Sequence, residues 1–566
     1  MPGEAVTLQL GQFAGCVGTH WWGLQAAALR SPSEPSELRH TVLLRPGRGP
    51  GGREIHTPRL VALELKGGVG AVGTGGAGPE APVSWDGAVA SYLERAPGGG
   101  SAARNAGRRM GDASSDGQEG SSSAVQGSSP APSRLAVSQD LHSAGSIRVW
   151  SDYLNVHLHP KSVYVIRQYM HDGDCGCLEA FGQGESLLRD PGCIEELEDR
   201  LHFYVEECDN LQGFQVLCDL HNGFSGVGAK VTELLCDEYS GKGILTWGLT
   251  PVMSNRGDFQ KNFYRLMNTV MGIVHLSSHS SLFCPLSLSG SLGIQPQPPV
   301  MFPYIHYDAS LNYHSSAILA AALDTLTAPY RLCSSQGSML HLAETLNFSG
   351  RKVVAAGASV PFPALRGSSL PDILCAYEEE VPWKLLSSCR EQKVSCCFAQ
   401  SVVLRGICKE SHLSSCQGKQ PRSPLHTWES TEQILQQYLH SVFPGAFSTS
   451  HVLQQSCHTL PPYPQFFSPL LTREGFLLDK PPRYPSAAVE SIPVLAALQS
   501  SPALHTLLHS LDKDLQRLNT RRLPSFFSAG VEHDDFQETL EELRTLSQCY
   551  KTGFEADESE DEEDSD

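Results

Sequence analysis

The chain has 566 residues, a formal net charge of −19, 40% hydrophobic and 18% charged residues, and 17 cysteines. This length predicts roughly two to four domains and enough apolar side chains for a buried core, which excludes a wholly disordered chain. The acidic balance argues against a general nucleic-acid-binding protein, because neutralising phosphates requires a basic face. We therefore expect no nucleic-acid partner.

The distribution of acidic residues and cysteines gives further expectations. Residues 555–566 hold nine acidic side chains and no basic one, so a solvated, disordered tail is expected, with docking of a basic partner as the alternative to solubility. The cysteines are scattered and form no CxxC pair, which indicates a reducing compartment and no zinc site. No Lys or Arg precedes Arg30, which is typical of neither a signal nor a transit peptide. We expect a cytosolic protein whose membrane association is peripheral.

Hydrophobic patterning near the N-terminus predicts a strand, a helix and a second strand. Residues 5–25 begin with alternating apolar positions, break at Gly11 and continue in a helical pattern. Residues 59–65 are almost continuously apolar, as in a strand buried on both faces. A short amphipathic helix is predicted at 85–93. Residues 97–145 are rich in Gly and Ser and are expected to be a disordered insertion within one domain.

The rest of the chain alternates predicted strands and helices. The predicted strands are 163–169, 214–220 and 243–249, and the predicted helices are 194–209 and 311–326. This alternation predicts an α/β fold with a mostly parallel sheet flanked by helices. Residues 352–360 and 394–407 predict strands of a mixed α+β region with Pro-rich loops, and residues 533–550 predict a C-terminal helix.

Two glycine-rich motifs and a histidine pair stand out. Residues 68–73 spell GxGxxG after a strand, but Gly and Pro follow where a dinucleotide-binding helix must begin. Residues 223–230 have GxxxxG spacing with an extra residue before Lys, so no Walker A loop is expected. That turn either cradles phosphate with backbone amides or needs glycine only for its backbone angles. His157 and His159 have no third ligand placed by spacing, and no GxSxG occurs, so neither metal nor nucleophilic catalysis is expected.

Five segments resemble tubulin. They are VTLQLGQFAGCVGTHWW (6–22), HTPRLVALELKGG (56–68), EECDNLQGFQVLCDLHNGFSGVGAK (206–230), SVVLRGI (401–407) and GVEHDDFQETLEELRTLSQCY (530–550). They are similar, in that order, to the first strand and phosphate loop, the second strand, the glycine-rich signature loop, a strand of the intermediate domain, and the C-terminal helices before an acidic tail. The resemblance touches both ends and the middle of the chain, and therefore implies a tubulin-like fold across most of it.

Residues 146–163, 179–186 and 197–215 further resemble the misato family, tubulin relatives linked to mitochondrial distribution, morphology and fusion. This resemblance implies a cytosolic protein that acts peripherally at the mitochondrial outer membrane. The corresponding predicted divisions are 1–96 and 146–334 for a nucleotide-binding-type domain, 97–145 for the insertion, 335–500 for an intermediate-type domain, 501–554 for C-terminal helices and 555–566 for the tail.

The tubulin resemblance also implies a site for GTP or GDP. The residues at matching positions, which are candidates for phosphate contacts, are Gly11, Gln12, Gly18, Lys66, Gly223, Ser225, Gly226 and Gly228. The signature loop departs from tubulin, because His221, Asn222 and Phe224 bring side chains to places where bare backbone should meet phosphate. Glu64 and Lys66 match an acidic pair that serves the magnesium shell, so one carboxylate has become a cation and no metal ligand is assigned.

A further departure concerns hydrolysis. In tubulin-type polymers an acidic residue of one subunit activates water at the neighbour's nucleotide. Here Asn312 fits the pattern, but His314 stands where the acid would be, so no catalytic residue is assigned. The leading hypothesis is a non-catalytic or nucleotide-regulated tubulin-like protein that acts through protein partners at the mitochondrial outer surface. The alternatives are a polymerising GTPase that uses His314, and a structural or chaperone-like protein that binds tubulin or microtubules.

Overall fold

The computed structural model describes residues 3–30, 36–48, 54–70, 147–172, 176–253, 259–334, 337–377, 380–389, 396–407, 424–480, 488–518 and 524–552. The strands are β1 (Glu4–Leu10), β2 (Leu44–Arg48), β3 (Glu54–Pro58), β4 (Leu60–Lys66), β5 (Val163–Met170), β6 (Leu211–Asp219), β7 (Gly243–Leu249), β8 (Leu282–Leu286), β9 (Ala355–Ser359), β10 (Lys384–Leu385), β11 (Ala399–Arg405), β12 (Phe447–Leu453), β13 (Cys457–His458), β14 (Ser491–Ile492) and β15 (Val494–Ser500). The helices are α1 (Gln12–Arg30), α2 (Phe181–Leu187), α3 (Pro191–Glu206), α4 (Phe224–Glu238), α5 (Phe259–His279), α6 (Asn312–Leu326), α7 (Met339–Leu346), α8 (Leu370–Cys375), α9 (Thr431–Val442), α10 (Ala503–Gln516), α11 (Pro524–Ser528) and α12 (His533–Gln548).

The predicted elements that fall on described residues are confirmed, with shifted ends. The strand and helix predicted within 5–25 are β1 and α1, and the strand predicted at 243–249 coincides with β7. The helix predicted from 194 begins at Pro191, because proline suits the first turn of a helix, where its missing N–H is not needed. The helix predicted at 85–93, the insertion at 97–145, the end of the GxGxxG motif and the tail at 555–566 lie outside the described residues.

Six of the described strands form a parallel sheet with β1 near its centre. The strand order is β5-β4-β1-β6-β7-β8, and every adjacent pair is parallel. The chain runs from β1 to β4 and β5 on one side, and then to β6, β7 and β8 on the other. In such sheets a ligand crevice lies beyond the carboxyl ends of the strands where the winding direction changes. The predicted parallel sheet is confirmed, and its crevice lies beside β1.

Helices cover both faces of this sheet. Ala5 of β1 packs in a core with side chains of α1 and α6, whereas Val6 and Leu8 face the other way, into a core with α3, α4 and α5. The C-terminal helices α10 and α12 contribute to this second core, where Phe536 and Leu543 are buried. Burial on both faces explains why these strands are almost continuously apolar.

A second sheet has the order β10-β9-β15-β11-β12 and mixes parallel and antiparallel pairs. α9 packs on one of its faces. β9 is shorter than the predicted strand at 352–360, because the backbone groups of Lys352 and Val354 are hydrogen-bonded to Phe283 of β8, at 2.9 Å each, before the chain enters the second sheet. The Tyr550 hydroxyl bonds both backbone groups of Val353, at 2.9 and 2.7 Å. β11 ends before Gly406, whose φ of 82° turns the chain away. The predicted mixed region is confirmed, while the predicted domain limits remain predictions.

A buried ionic cluster joins α6 to the second sheet. Asp324 of α6 forms ion pairs with Arg331 and with Arg405 at the end of β11, and all three side chains are almost completely buried. Asp324 also accepts hydrogen bonds from the Trp21 indole and the Gln25 amide of α1. Burial by itself raises the pKa of Asp324, but Arg405 and Arg331 lower it to about 2 overall. The cluster therefore ties α1, α6 and β11 together through one ionised carboxylate.

Candidate functional site

A cavity of about 570 Å³ lies at the carboxyl ends of β1, β4 and β6. Its walls come from the start of α1, the end of β4, the turn after β6 and the first turns of α5. This is the crevice expected where the winding of a parallel sheet changes direction. Two acidic side chains that line it, Glu64 and Asp219, are 1% and 0% exposed. The chemistry of the cavity therefore depends on what partners these carboxylates have.

Asp219, at the end of β6, caps the N-terminus of α1. Its Oδ1 accepts the Ala14 backbone N–H at 2.7 Å, and its Oδ2 accepts that of Phe13 at 3.1 Å. Gly11 makes the turn between β1 and α1 with a φ of 105°, and a Cβ there would lie 2.5 Å from Asp219 Oδ2. First-turn amides of a helix lack intrahelical partners and attract anions. A carboxylate of the chain itself therefore occupies the amides that would otherwise be offered to a phosphate.

Glu64, on β4, is the second buried carboxylate. Its Oε1 accepts the Leu65 N–H at 2.8 Å, and its Oε2 accepts the Trp150 indole N–H at 3.1 Å. The Gln12 amide, in the orientation that satisfies its hydrogen bonds, donates to Glu64 Oε2 at 2.9 Å. Burial raises the pKa of Glu64 to about 8 and that of Asp219 to about 7, although their hydrogen bonds oppose the increase. Both groups therefore hold protons over part of the neutral pH range.

The glycines of the turn after β6 serve close packing. A Cβ on Gly223 would lie 2.7 Å from the Ala180 carbonyl oxygen, and one on Gly226 would overlap the Phe181 carbonyl oxygen. Gly228 lies against β6 in the same way. Bare backbone at these positions lets α4 approach α2 and β6 closely. The second interpretation of this turn, in which glycine is needed for structure, accounts for these positions.

The predicted phosphate contacts are scattered with respect to the cavity. All of these residues lie in the part of the chain that the structure describes, and among them only Gln12 lines the cavity. Gly18 packs on the Gln9 amide inside the core, and Lys66 is exposed at the end of β4. Ser225 is fully buried and donates its hydroxyl to the Asn222 carbonyl oxygen at 2.8 Å. Phosphate contact by these residues stays a prediction. The positions of Gly18 and Ser225 do not favour it, because packing already uses their surfaces.

Asn312 and His314, which the resemblance assigns to the intersubunit contact, have different environments at the start of α6. Asn312 is exposed and lines the cavity, whereas His314 does not line it. His314 is half-buried, and its Nδ1 accepts the Asp308 backbone N–H at 3.1 Å. Burial lowers the pKa of His314, so its imidazole is neutral near pH 7. This histidine is held as a hydrogen-bond acceptor within its own chain.

The sequence patterns do not single out Asp219, Lys261 or Arg265, all of which line the cavity. A signal for Asp219 exists, because an acidic residue ends a buried apolar strand directly before a glycine-rich turn. No comparable signal marks Lys261 and Arg265. They lie four residues apart on α5, and no helix is predicted there from the sequence.

The donors present do not fit the phosphates of a guanine nucleotide. The Phe13 and Ala14 amides are taken by Asp219, and the turn glycines pack on neighbouring backbone. Glu64 adds a second acidic group to the same cavity. Among the described residues there is also no cluster of three or more His, Cys, Asp or Glu side chains that could hold a metal ion. The Phe13 and Ala14 amides are therefore available to a phosphate only if Asp219 moves away from them.

The two sheets, their helices and the crevice beside β1 define a tubulin-like protein. A family model described as a tubulin domain matches residues 140–332, and one described as the misato segment II tubulin-like domain matches residues 3–120. The chain is 53% identical to protein misato homolog 1 of Homo sapiens, over 97% of this chain and 98% of that protein. Protein misato homolog 1 of Danio rerio is 42% identical over 99% of both chains, and protein misato of Drosophila melanogaster is 27% identical over 97% and 98%. The chain belongs to the misato family.

These findings confirm both resemblances on which the sequence interpretation depends. The tubulin-like fold is confirmed by the parallel sheet and by the family models. The misato resemblance is confirmed by relatives that match over nearly the full chain. Within the described ranges, every helix is too short or too polar to cross a membrane.

Proposed function

We propose that this chain is a tubulin-like protein without nucleotide turnover, and that it supports mitochondrial distribution, morphology and fusion through protein partners at the cytosolic face of the outer membrane. One observation carries the non-catalytic part: the Asp219 carboxylate occupies the first-turn amides of α1. The mitochondrial part is supported by the resemblance to the misato family and by membership of it.

Charge supports the same proposal. Asp219 and Glu64 are both acidic and both line the cavity. When either group is ionised, a phosphate charge 4 Å away is repelled by about 4 kcal/mol at an effective dielectric constant of about 20. The raised pKa values of both groups confine this repulsion to the fraction of the chain that is ionised, and the cations Lys261 and Arg265 also line the cavity. A polyphosphate would therefore have to displace Asp219 from two backbone amides and either protonate or approach Glu64. Each step weakens nucleotide binding relative to a crevice with free amides.

Nucleotide content and turnover test this part of the proposal. The purified full-length chain is expected to release no guanine nucleotide on denaturation and to show negligible GTP hydrolysis. An Asp219→Asn variant is the matched comparison, because it keeps the size of the side chain and removes its charge. Stoichiometric nucleotide in the unaltered chain, or turnover that disappears in His314→Ala or Ser225→Ala, would overturn the proposal.

The mitochondrial part is tested separately in cells. The chain is expected in the cytosol and on mitochondria, released from the organelle by alkaline carbonate and degraded by protease added to intact mitochondria. Its depletion is expected to change the distribution and shape of the mitochondrial network. Protection from added protease, or a normal network after depletion, would contradict this part.

The second candidate function is a GTPase that forms filaments. The observation that favours it is Asn312, which lines the cavity at the start of α6, where the resemblance places the contact with a neighbouring subunit. In this case Gly11, Gln12 and the turn glycines would line phosphates, and His314 would serve the adjacent subunit. Sedimentation with and without GTP separates the candidates, since only the filament candidate requires nucleotide-dependent pelleting.

Binding to tubulin or microtubules is a further possible partner interaction, and it is supported by the fold alone. Co-sedimentation with preassembled microtubules tests it directly. Retention in the supernatant at micromolar concentrations would exclude it as the principal function.

A further inference from the structure

The cavity beside β1 has acidic groups at its buried end and basic groups at its rim. Glu64 and Asp219 are almost fully buried, whereas Lys261 is exposed on the first turn of α5, and Arg265 follows one turn later. Residues four apart lie on the same face of a helix, so both basic groups face the cavity from α5. The volume of about 570 Å³ is typical of a small-molecule site.

The acidic end has hydrogen-bonding capacity that the chain does not use. Among the described residues, Ala14 is the one hydrogen-bond donor to Asp219 Oδ1, although a carboxylate oxygen can accept two hydrogen bonds. In the described part of the chain, neither Asp219 nor Glu64 forms an ion pair with Lys or Arg. His221 also lines the cavity, and its Nδ1 is buried without a hydrogen-bond partner. A buried polar atom without a partner is uncommon and points to a ligand or ordered water.

The basic rim is similarly available to a ligand. Within the described residues, no carboxylate forms an ion pair with Lys261 or Arg265, and Arg265 donates to the Asn262 side chain at 3.1 Å. Lys261 lies in the first helical turn of α5, where backbone amides add positive potential. Glu179 and His171 also line the cavity, nearer the solvent, so the rim is polar but not uniformly basic.

We propose that this cavity binds a small zwitterion, with its ammonium group at Glu64 and Asp219 and its carboxylate or other anionic group at Lys261 and Arg265. An ammonium group forms charge-assisted hydrogen bonds with the unused carboxylate lone pairs, and its binding releases the protons that Glu64 and Asp219 hold near neutral pH. A guanidinium on α5 donates N–H groups to the anionic end in a fixed geometry. This assignment depends on the proposed absence of a nucleotide from the cavity, and it names the ligand class that replaces it.

Calorimetric titration of the full-length protein tests the assignment. The probes are a series of linear amino carboxylates of increasing chain length, the matching alkylamines and alkanoates, and GTP. We expect one amino carboxylate length to bind best, because the acidic groups lie on β4 and β6 and the basic groups on α5, elements whose separation the fold sets. The alkylamine of the same length should bind about tenfold weaker, and the alkanoate weaker still.

Variants at each end make the test specific. Glu64→Gln and Lys261→Gln are each expected to lower the affinity for the best-binding amino carboxylate by about tenfold. Lys513→Gln is the matched control, since Lys513 is an exposed lysine on α10 that does not line the cavity, and affinity should be unchanged. Lys261 is exposed, so its replacement leaves the fold intact even if Glu64→Gln does not.

The outcomes separate this inference from the proposed function. Equal affinity for the amino carboxylate and the alkylamine would overturn the proposal of a zwitterionic ligand. Unchanged affinity in the Lys261→Gln variant would also overturn it. Absence of binding by every probe would overturn it as well, while the proposed absence of GTP turnover would stand. Tight GTP binding without amino carboxylate binding would overturn both.

Discussion

Two buried carboxylate sites in this molecule differ in their charge environment. Asp324 is paired with Arg331 and Arg405, and its pKa falls to about 2 despite complete burial. Asp219 is equally buried but is bonded to backbone amides and an Asn222 side chain, and burial raises its pKa to about 7. Its neighbour in the cavity, Glu64, follows the same pattern, with a pKa raised to about 8.

The difference distinguishes a structural site from a ligand site. Around Asp324 the chain supplies both cations itself and seals them between α6 and the second sheet. Around Asp219 and Glu64 it leaves a cavity and supplies no paired cation from the described residues. Strongly raised carboxylate pKa values in a cleft are typical of functional sites, whereas ion-paired clusters in a core hold elements together. Each prediction below tests one side of this contrast.

The largest effect is expected from Asp324→Ala. It leaves two buried arginines without their carboxylate, and breaking a buried pair in this way costs about 3–5 kcal/mol in the free energy of unfolding. Urea denaturation followed by circular dichroism measures the loss. Glu490→Gln, in the exposed pair with Arg473, is the control and should change little. A small loss in Asp324→Ala would show that this cluster does not stabilise the fold.

The next effect concerns stability between pH 5 and 8. The pKa values of Glu64 and Asp219 are raised on folding, so the folded chain holds protons that the unfolded chain has released. The free energy of unfolding therefore falls as pH rises through this window, with a slope of up to about 1.4 kcal/mol per pH unit for each of the two groups. Combining Glu64→Gln with Asp219→Asn should flatten this slope, whereas replacement of the exposed Glu541 of α12 by Gln should leave it unchanged. A slope that persists in the double variant would assign it to other groups.

A smaller effect of opposite sign is expected in acid. The pKa of Asp324 is lowered on folding, so its contribution to stability is complete above about pH 4 and is lost as pH falls towards 2. The shift corresponds to about 2 kcal/mol. The difference in unfolding free energy between the unaltered chain and Asp324→Asn should shrink by this amount between pH 5 and 2. A constant difference would show that Asp324 is not ionised in the fold.

The last prediction concerns the packing role of the turn glycines beside the cavity. Gly226→Ala places a methyl group in overlap with the Phe181 carbonyl oxygen, and the overlap should cost about 3 kcal/mol, because the atoms it meets are backbone atoms of α2 and its N-terminal end, which must move to make room. Gly192→Ala on α3 is the control, since its Cβ has free space and alanine favours helix. An unchanged stability of Gly226→Ala would reopen a role for this glycine in ligand binding.

The sequence predicts much of the fold, because apolar runs in the local sequence mark most strands of the first sheet. β7 coincides with its predicted range, and β1, β4, β6 and α6 differ from theirs by a few residues. The ends of elements differ more, since caps and distant contacts decide them, as the pairing of residues 352–354 with Phe283 does at the start of β9. The candidate site is less predictable. Gln12 alone among the predicted phosphate contacts lines the cavity.

The sequence by itself determined most strands of the first sheet, their parallel arrangement, the tubulin resemblance and the family, because periodic burial and short motifs are local properties of the chain. The tertiary structure decided the partner of each buried charge. Asp219 meets the amides of Phe13 and Ala14 across more than 200 residues, and Asp324 meets Arg405 across 81. Pairings of this separation depend on strand order and helix packing, which no local pattern encodes. These long-range pairings make the Asp324 site a sealed ionic cluster and leave unused carboxylate oxygens at the Asp219 and Glu64 cavity.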